Sequence, residues 1–325
     1  MRSSTPWWRD RRVLPALVQG AVALLILALI AFLLSNLVRN LTAAGLLLSW
    51  RWLGQPAGFD LSQSLLPFSA SMPYGRALLA GLVNSLQVIV LSLVGSSLLG
   101  LLIGLCAFSS NALLRGLQRT YVELIRNIPL LLQLLFWYFV VFLGLPDKGA
   151  ALQLPGLVLA KSGLYLAWFS QAGWQQPALV NGIWQAPLQI SVEFAALLTG
   201  LITHFAAFIA EVVRGGIASV PRGQWEAASS LGLHWGATLR HIVLPQALRV
   251  IVPSLTNQYI SLAKASSLAL ACGFSDLYAV AETTLNQTGR AVEVFLVLLA
   301  AYLGIDLVIS LLMNGINRLV QLQER

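Results

Sequence analysis

EVVRGGIASVPRGQWEAASSLGLHWGATLRHIVLPQALRVIVP, residues 211–253, is a polar island in an apolar chain. Ser219 can cap a helix whose first turn holds Pro221. This predicts a helix over 221–231 with Ala227, Ala228 and Leu231 on one side. Gly232 can stop it, because glycine takes the left-handed conformation without a Cβ clash. A second short helix is expected over 235–243, before Leu244-Pro245. Together they make a helix–turn–helix suited to docking. Its small residues admit a close surface, and Trp225, Leu231, Leu233 and Trp235 are apolar anchors of the kind that dominate interfaces. Glu226 offers a charge to a basic groove. An amphipathic loop lying on a lipid leaflet is the competing reading.

The rest of the chain says what the island projects from. Of 325 residues, 58% are hydrophobic and 10% charged. An ordinary soluble domain carries roughly a quarter charged. Disorder, a disulfide scaffold and a soluble globular fold are excluded, leaving an all-α membrane protein. A spanning helix needs about 20 apolar residues. Six runs qualify: 13–38, 80–107, 121–146, 194–210, 247–272 (interrupted by Arg249 and Lys264) and 292–316 (interrupted by Glu293 and Asp306). Segments 41–50 and 151–170 are too short or broken, and are expected as helices at the interface or packed on the bundle. Cys106 and Cys272 sit in apolar runs and read as buried small hydrophobes with no disulfide between them.

The net charge of +8 forms no dense patch, so it suits membrane topology rather than nucleic acid. With the N-terminus cytoplasmic, the inner pieces hold Arg2, Arg9, Arg11, Arg12, Arg115, Arg119, Arg126, Arg214, Arg222, Arg240, Arg249, Arg318 and Arg325. The outer pieces hold Arg39, Arg51, Arg76, Lys148, Lys161 and Arg290. Thirteen against six favours that orientation, and six spans return the C-terminus to the cytoplasm. The outer loops carry Trp50, Trp52, Trp168, Trp174 and Trp184, as expected at a water–lipid boundary. Arg11-Arg12 precedes a run too long for a cleaved signal, so a retained anchor is expected.

Glu226-Ala227-Ala228, three residues, Gly232, nine residues and Ile242-Val243-Leu244-Pro245 resemble the EAA signature of ABC importer permeases. The flanks are similar to its polar amino-acid branch: Glu211-x-x-Arg214-Gly215-Gly216-Ile217, Val220-Pro221-x-Gly223-Gln224 and Leu244-Pro245-Gln246-Ala247. So are Asn257-Gln258, Leu262-x-Lys264-x-Ser266-Ser267-Leu268, Asn286-Gln287-Thr288-Gly289, Asn84-Ser85-Leu86 and Tyr121-Val122-Glu123-x-x-Arg126-Asn127-x-Pro129-Leu130. The resemblance covers about 76–322. Trp8-Arg9-Asp10, Pro56-Ala57-Gly58-Phe59-Asp60 and an outer insertion near 144–190 look like the general L-amino-acid and neutral amino-acid permeases. Phe208 departs from the branch, which usually has Tyr there, and the insertion reads as shorter than in the largest members.

The resemblance implies a type I importer fold: an N-terminal anchor helix and extracytoplasmic segment over 1–75, then a permease domain over 76–322. That domain would include the insertion 144–190 and a cytoplasmic coupling loop 219–245. In such families the loop sits in a groove of a cytoplasmic ATPase. The residues implied in coupling are Arg222, Gly223, Gln224, Trp225, Glu226, Ala227, Ala228, Leu231, Gly232, Leu244 and Pro245. The implied partners are a second related permease subunit (heterodimer before homodimer), two ABC ATPase subunits, a periplasmic amino-acid-binding protein, the amino-acid substrate and the bilayer of a bacterial inner membrane. No nucleic-acid partner is implied. No cofactor is expected on this chain, because ATP and Mg would belong to the ATPase.

The chain has no GxxxxGK[ST], HExxH or GxSxG motif, so no catalytic residues are assigned. His204, His234 and His241 read as polar packing, not a metal site. Ionisable residues at membrane depth are functional candidates. Lys264 and Asp306 suit either a cavity or an interhelical contact; Asn257, Gln258, Ser266 and Ser267 are placed on the same substrate path. Glu123 and Glu211 are expected to pair with Arg126 and Arg214 at i+3. Gly95, Gly100 and Gly104 read as close helix-packing positions. A secondary transporter or channel is the main alternative, but such transporters show repeated halves and none is visible. An intramembrane enzyme is a third, and lacks a nucleophile and base.

Overall fold

The computed structural model describes residues 13–43, 45, 48–146, 148–170 and 173–321. Arg2, Arg9, Arg11, Arg12, Arg325 and the Trp8-Arg9-Asp10 motif lie outside the described residues. The chain forms two units, Met1–Arg51 and Trp52–Arg325. The first is built on α1 (Val13–Ala43), whose Leu24, Leu25 and Phe32 are all exposed. The helix runs past the expected end at 38. Leu48 and Ser49 are not helical, so 41–50 forms no separate helix, and Ala44, Leu46 and Leu47 lie outside the described residues.

The second unit begins earlier than the boundary at 75/76. Trp52 and Ala57 are buried with Tyr74, Ala77 and Leu78 of α2 (Tyr74–Cys106) and with Leu277 and Val280 of α9 (Leu277–Thr288). The segment 52–73 therefore belongs to the bundle rather than to the anchor.

The bundle is organised by α2 against α5 (Val192–Ala218). Glycines make the approach possible. A Cβ on Gly100 would stand 2.7 Å from Ile209 Cβ and 2.9 Å from Ala206 O, and one on Gly104 2.9 Å from Ala210 O. Gly95 meets Ile202 in the same way. All three are packing positions, as expected. The main core joins Val88 and Ile89 of α2, Leu197 and Leu201 of α5, Val252 and Leu262 of α8 (Leu244–Ala265), and Ile305 and Ile309 of α10 (Ala291–Gln321).

Among the described residues, four helices are long and apolar enough to cross a membrane: Pro15–Ala43, Tyr74–Cys106, Val192–Ala218 and Ala291–Gln321. A bent pair adds a fifth if taken as one span. This replaces the expected straight third span. Helix α3 (Ala112–Asn127) ends at Ile128, and α4 (Leu130–Leu135, continued by a π turn to Phe142) leaves at 105°. The cause is Pro129, which lacks an N–H and drives the preceding residue out of the α region. Ile128 is accordingly extended at φ −100°, ψ 127°. The fifth expected run also differs. Helix α8 stops at Ala265, a 3-10 stretch carries on to Cys272, and Gly273 ends it at φ +75°.

The insertion corrects a second expectation. Residues 151–170 are not helical. The chain from Leu152 to Ile190 makes eight short strands. These are β1 (Leu152–Leu154), β2 (Leu157–Ala160), β3 (Gly163–Leu166), β4 (Trp168–Ser170), β5 (Gly173–Gln175), β6 (Ala178–Val180), β7 (Ile183–Gln185) and β8 (Leu188–Ile190). They form an antiparallel sheet β1-β2-β3-β8 and hairpins β4–β5 and β6–β7. Asn181-Gly182, at φ 51° and 75°, makes the two-residue turn that pairs Val180 with Ile183. Strand β8 passes directly into α5, whose first turn is capped by Ser191 Oγ accepting from Phe194 N–H at 3.1 Å.

Candidate functional site

The island 211–253 folds as two helices around a glycine turn. Helix α6 (Arg222–Ser230) starts after Pro221, and Gly232 at φ +73° reverses the chain. Ser219 does not cap α6. It ends α5, with its Oγ donating to Gly216 O at 2.7 Å. The next helix is capped by His234, whose Nδ1 accepts from Ala237 N–H at 3.2 Å. It does not stop before Leu244-Pro245. Helix α7 (Trp235–Thr238) runs through a π turn (Leu239–Val243) straight into α8. Pro245 falls in the first turn of α8, where its missing N–H costs little.

One face of this element packs on the chain itself. Ala228 is fully buried and Trp225 leans on the cluster of Val213, Ile217, Val243 and Ile251. Ala228 is therefore an internal packing residue. The other face is open. Leu231 is 77% exposed and Trp235 53%. Arg222, Gly223, Gln224, Glu226, Ala227 and Gly232 are exposed with them, while Leu244 and Pro245 are half-buried. An exposed leucine beside an exposed tryptophan on a nine-residue helix and its turn is a compact apolar knob ringed by polar groups.

The second set lies along α8 and α10. Lys264 Nζ stands 3.4 Å from Asp306 Oδ2, an ion pair between the two helices. The Asp306 side chain is 19% exposed and its Oδ1 has no hydrogen-bond partner; the lysine is 63% exposed. Asn257 lies two turns before Lys264 on the same exposed stripe, with Ser261 between them. Ser261 was not singled out from sequence, although its i+4 and i−3 spacing to these residues carried the signal. Gln258 is half-buried. Ser266 is buried, and its hydroxyl donates to Ala263 O at 2.8 Å, so it faces packing rather than a path. Ser267 is half-buried and donates to Lys264 O at 2.8 Å.

The other polar expectations divide. Glu211 binds Arg214 at 2.6 Å. Glu123 pairs with Arg119 at 2.8 Å, one turn back, and not with Arg126. Arg126 instead lies over the ring of Phe208 at 5.2 Å, the residue that departs from the branch. His204 Nδ1 is 3.0 Å from Gln133 Nε2. Cys272 is buried and Cys106 half-buried; both are free thiols.

Comparison with known proteins places this arrangement. Residues 96–322 match the family described as "Binding-protein-dependent transport system inner membrane component". The putative amino-acid ABC transporter permease protein YhdX of Escherichia coli (strain K12) is 36% identical, over 95% of this chain and 94% of its own length. The general L-amino acid transport system permease protein AapQ of Rhizobium johnstonii is 37% identical, over 89% and 87%. The solved structure titled "Crystal structure of an amino acid ABC transporter with histidines" superposes at a TM-score of 0.57, with 28% identity, 75% of this chain and 94% of that one. By the family match and by these relatives, the chain belongs to the binding-protein-dependent transport system inner membrane components.

Proposed function

We propose that this chain is a permease subunit of an ATP-driven, binding-protein-dependent amino-acid importer. It forms half of the translocation path and couples it to a cytoplasmic ATPase through 219–245. The observation that carries the reading is the exposed knob of Leu231 and Trp235 around Gly232, standing on the helix that continues into α8. A groove on an ATPase is the partner that such a knob fits, with Glu226 and Arg222 at its rim. Amino acids as cargo are supported by the names of the relatives, which are amino-acid permeases. Lys264 and Asp306 give the path a cation and an anion, matching the two charges of an amino acid. ATP and Mg are held by the ATPase partner. The second permease half is a related chain, and a periplasmic amino-acid-binding protein delivers cargo. The chain sits in the bacterial inner membrane with both termini cytoplasmic, as the arginine bias favours.

The test is labelled amino-acid uptake and ATPase activity in proteoliposomes holding the chain, its permease partner, the ATPase and the binding protein. Wild type is compared with Glu226→Ala and Leu231→Asp. Uptake that requires ATP and binding protein, with loss of ATPase association in Leu231→Asp, supports the reading. Uptake without the ATPase overturns it in favour of a secondary transporter.

A further inference from the structure

Between α3 and α5 lies a cavity of about 690 Å3 lined by four arginines: Arg115, Arg119 and Arg126 from α3, and Arg214 from α5. Only two carboxylates line it, and each is committed. Glu123 takes Arg119 at 2.8 Å, and Glu211 takes Arg214 at 2.6 Å. Arg115 has no carboxylate partner, and Arg126 makes no salt bridge although it lies within the field of the Glu211 carboxylate that Arg214 binds, so four guanidiniums face two carboxylates. Arg115 is held toward the α2–α3 turn by donating to Ser109 O at 2.6 Å and Ser110 O at 2.8 Å. Those carbonyls orient the guanidinium without neutralising it. Arg126 rests on Phe208, a contact that positions a cation over a ring and leaves its N–H fork unspent.

The spacing is built. Arg115, Arg119 and Arg126 follow at i, i+4 and i+11, so they share one face of α3. Leu113, Leu117 and Leu124 are exposed on another face. An amphipathic helix of this kind sits at a lipid–water boundary. Two surplus guanidiniums in one cavity repel each other, and an oxyanion bound between them relieves the repulsion through charge-assisted hydrogen bonds. Basic pockets between helices near the cytoplasmic face suit anionic headgroups.

We infer that the α3–α5 cavity is a binding site for a phosphate group, read by Arg115 and Arg126. The phosphate is supplied either by the headgroup of an anionic lipid or free from solution. The inference rests on the proposed topology only for which leaflet supplies a lipid.

The assembled transporter, purified in detergent, is tested in two arms. Native mass spectrometry reads retention of phosphatidylglycerol against phosphatidylcholine. Calorimetry reads binding of inorganic phosphate to lipid-stripped complex. Arg115→Gln/Arg126→Gln is compared with wild type and with Arg240→Gln, an arginine of the 239–243 π turn that does not line the cavity. The expected result is a roughly tenfold loss of anion binding in the double variant alone, about 1.4 kcal/mol. Arg126→Lys should recover part of it, since charge survives while the fork is lost. Retention of lipid with no phosphate binding assigns the headgroup; the reverse assigns a soluble anion. Wild type that binds neither, or a double variant that binds as wild type does, overturns the inference. Neither arm depends on transport or sidedness, so the proposed function can stand where this site falls.

Discussion

Lys264 on α8 and Asp306 on α10 form an ion pair at 3.4 Å in which the two partners are unequally wet. The lysine is mostly exposed, whereas the aspartate is enclosed and one of its oxygens has no partner. Removing the lysine strands a carboxylate; removing the aspartate leaves an ammonium that solvent or headgroups can reach. Lys264→Ala should therefore cost about 1–3 kcal/mol of stability and Asp306→Ala markedly less. The double variant should recover much of the lysine loss. Chemical unfolding in detergent reads this order. A double variant whose loss equals the sum of the two single losses would show that the pair contributes no coupling.

Gly232 holds the turn between α6 and α7, the proposed coupling element, at φ +73°, with no atom within 4 Å of the position of a Cβ. The constraint is therefore backbone geometry and not space. Gly232→Asn, which tolerates that region, should keep ATPase association near wild type. Gly232→Val should lose it, at a local cost of about 1–2 kcal/mol. Pull-down of the ATPase by each variant separates them.

Two glycines in helices make a matched contrast. Gly100 in α2 has Ile209 where a side chain would go, while Gly116 in α3 faces open space. Gly100→Leu should separate α2 from α5 and lose about 1–3 kcal/mol. Gly116→Ala should gain about 0.5–1 kcal/mol. Thermal melts of the two variants test the close approach directly.

Asp276, between the 3-10 stretch and α9, is 1% exposed. Its Oδ1 accepts from Ala279 N–H at 2.9 Å and caps α9. Burial outweighs these hydrogen bonds and pushes the carboxyl from 3.8 up to about 7. The folded chain thus holds this proton where the unfolded chain has released it. Stability contributed by the protonated form is complete below the ordinary carboxylate range and is lost as pH rises toward about 7. Wild type should melt lower at pH 8 than at pH 5. Asp276→Asn, which keeps a capping oxygen, should flatten that difference. An unchanged slope would place the titration elsewhere.

The helical framework was legible because long uncharged runs admit few other structures. Gly232 and the glycines of α2 were legible for the same kind of reason: each residue type permits one thing locally. The kink was present in Pro129 but was overridden by the apolar continuity of 121–146, which hydropathy alone reads as one span. The β insertion was signalled by Asn181-Gly182 between the short apolar runs Ala178–Val180 and Ile183-Trp184, and by Pro155-Gly156 before it. Short apolar runs of this kind carry no period that separates a strand from a buried helix. The residues proposed for coupling were singled out by motif, yet the motif did not say which of them face outward. Ala227 and Ala228 are adjacent in sequence and opposite in burial, a distinction only the packing of α6 on the 239–243 turn decides.

The unbroken passage from Trp235 through the π turn to Ala265 makes the docking knob and the Asn257–Lys264 stripe two ends of a single lever. At 1.5 Å per residue, its arm from Trp235 to Lys264 is about 44 Å long. A force applied at the knob would act on the stripe along one continuous helical path and not through a relay of loosely packed side chains. The π turn and Pro253, each of which interrupts the regular i to i−4 ladder, are the places where that lever can bend. Gly216, whose missing Cβ leaves room for Ile251, is where that lever rests closely on α5.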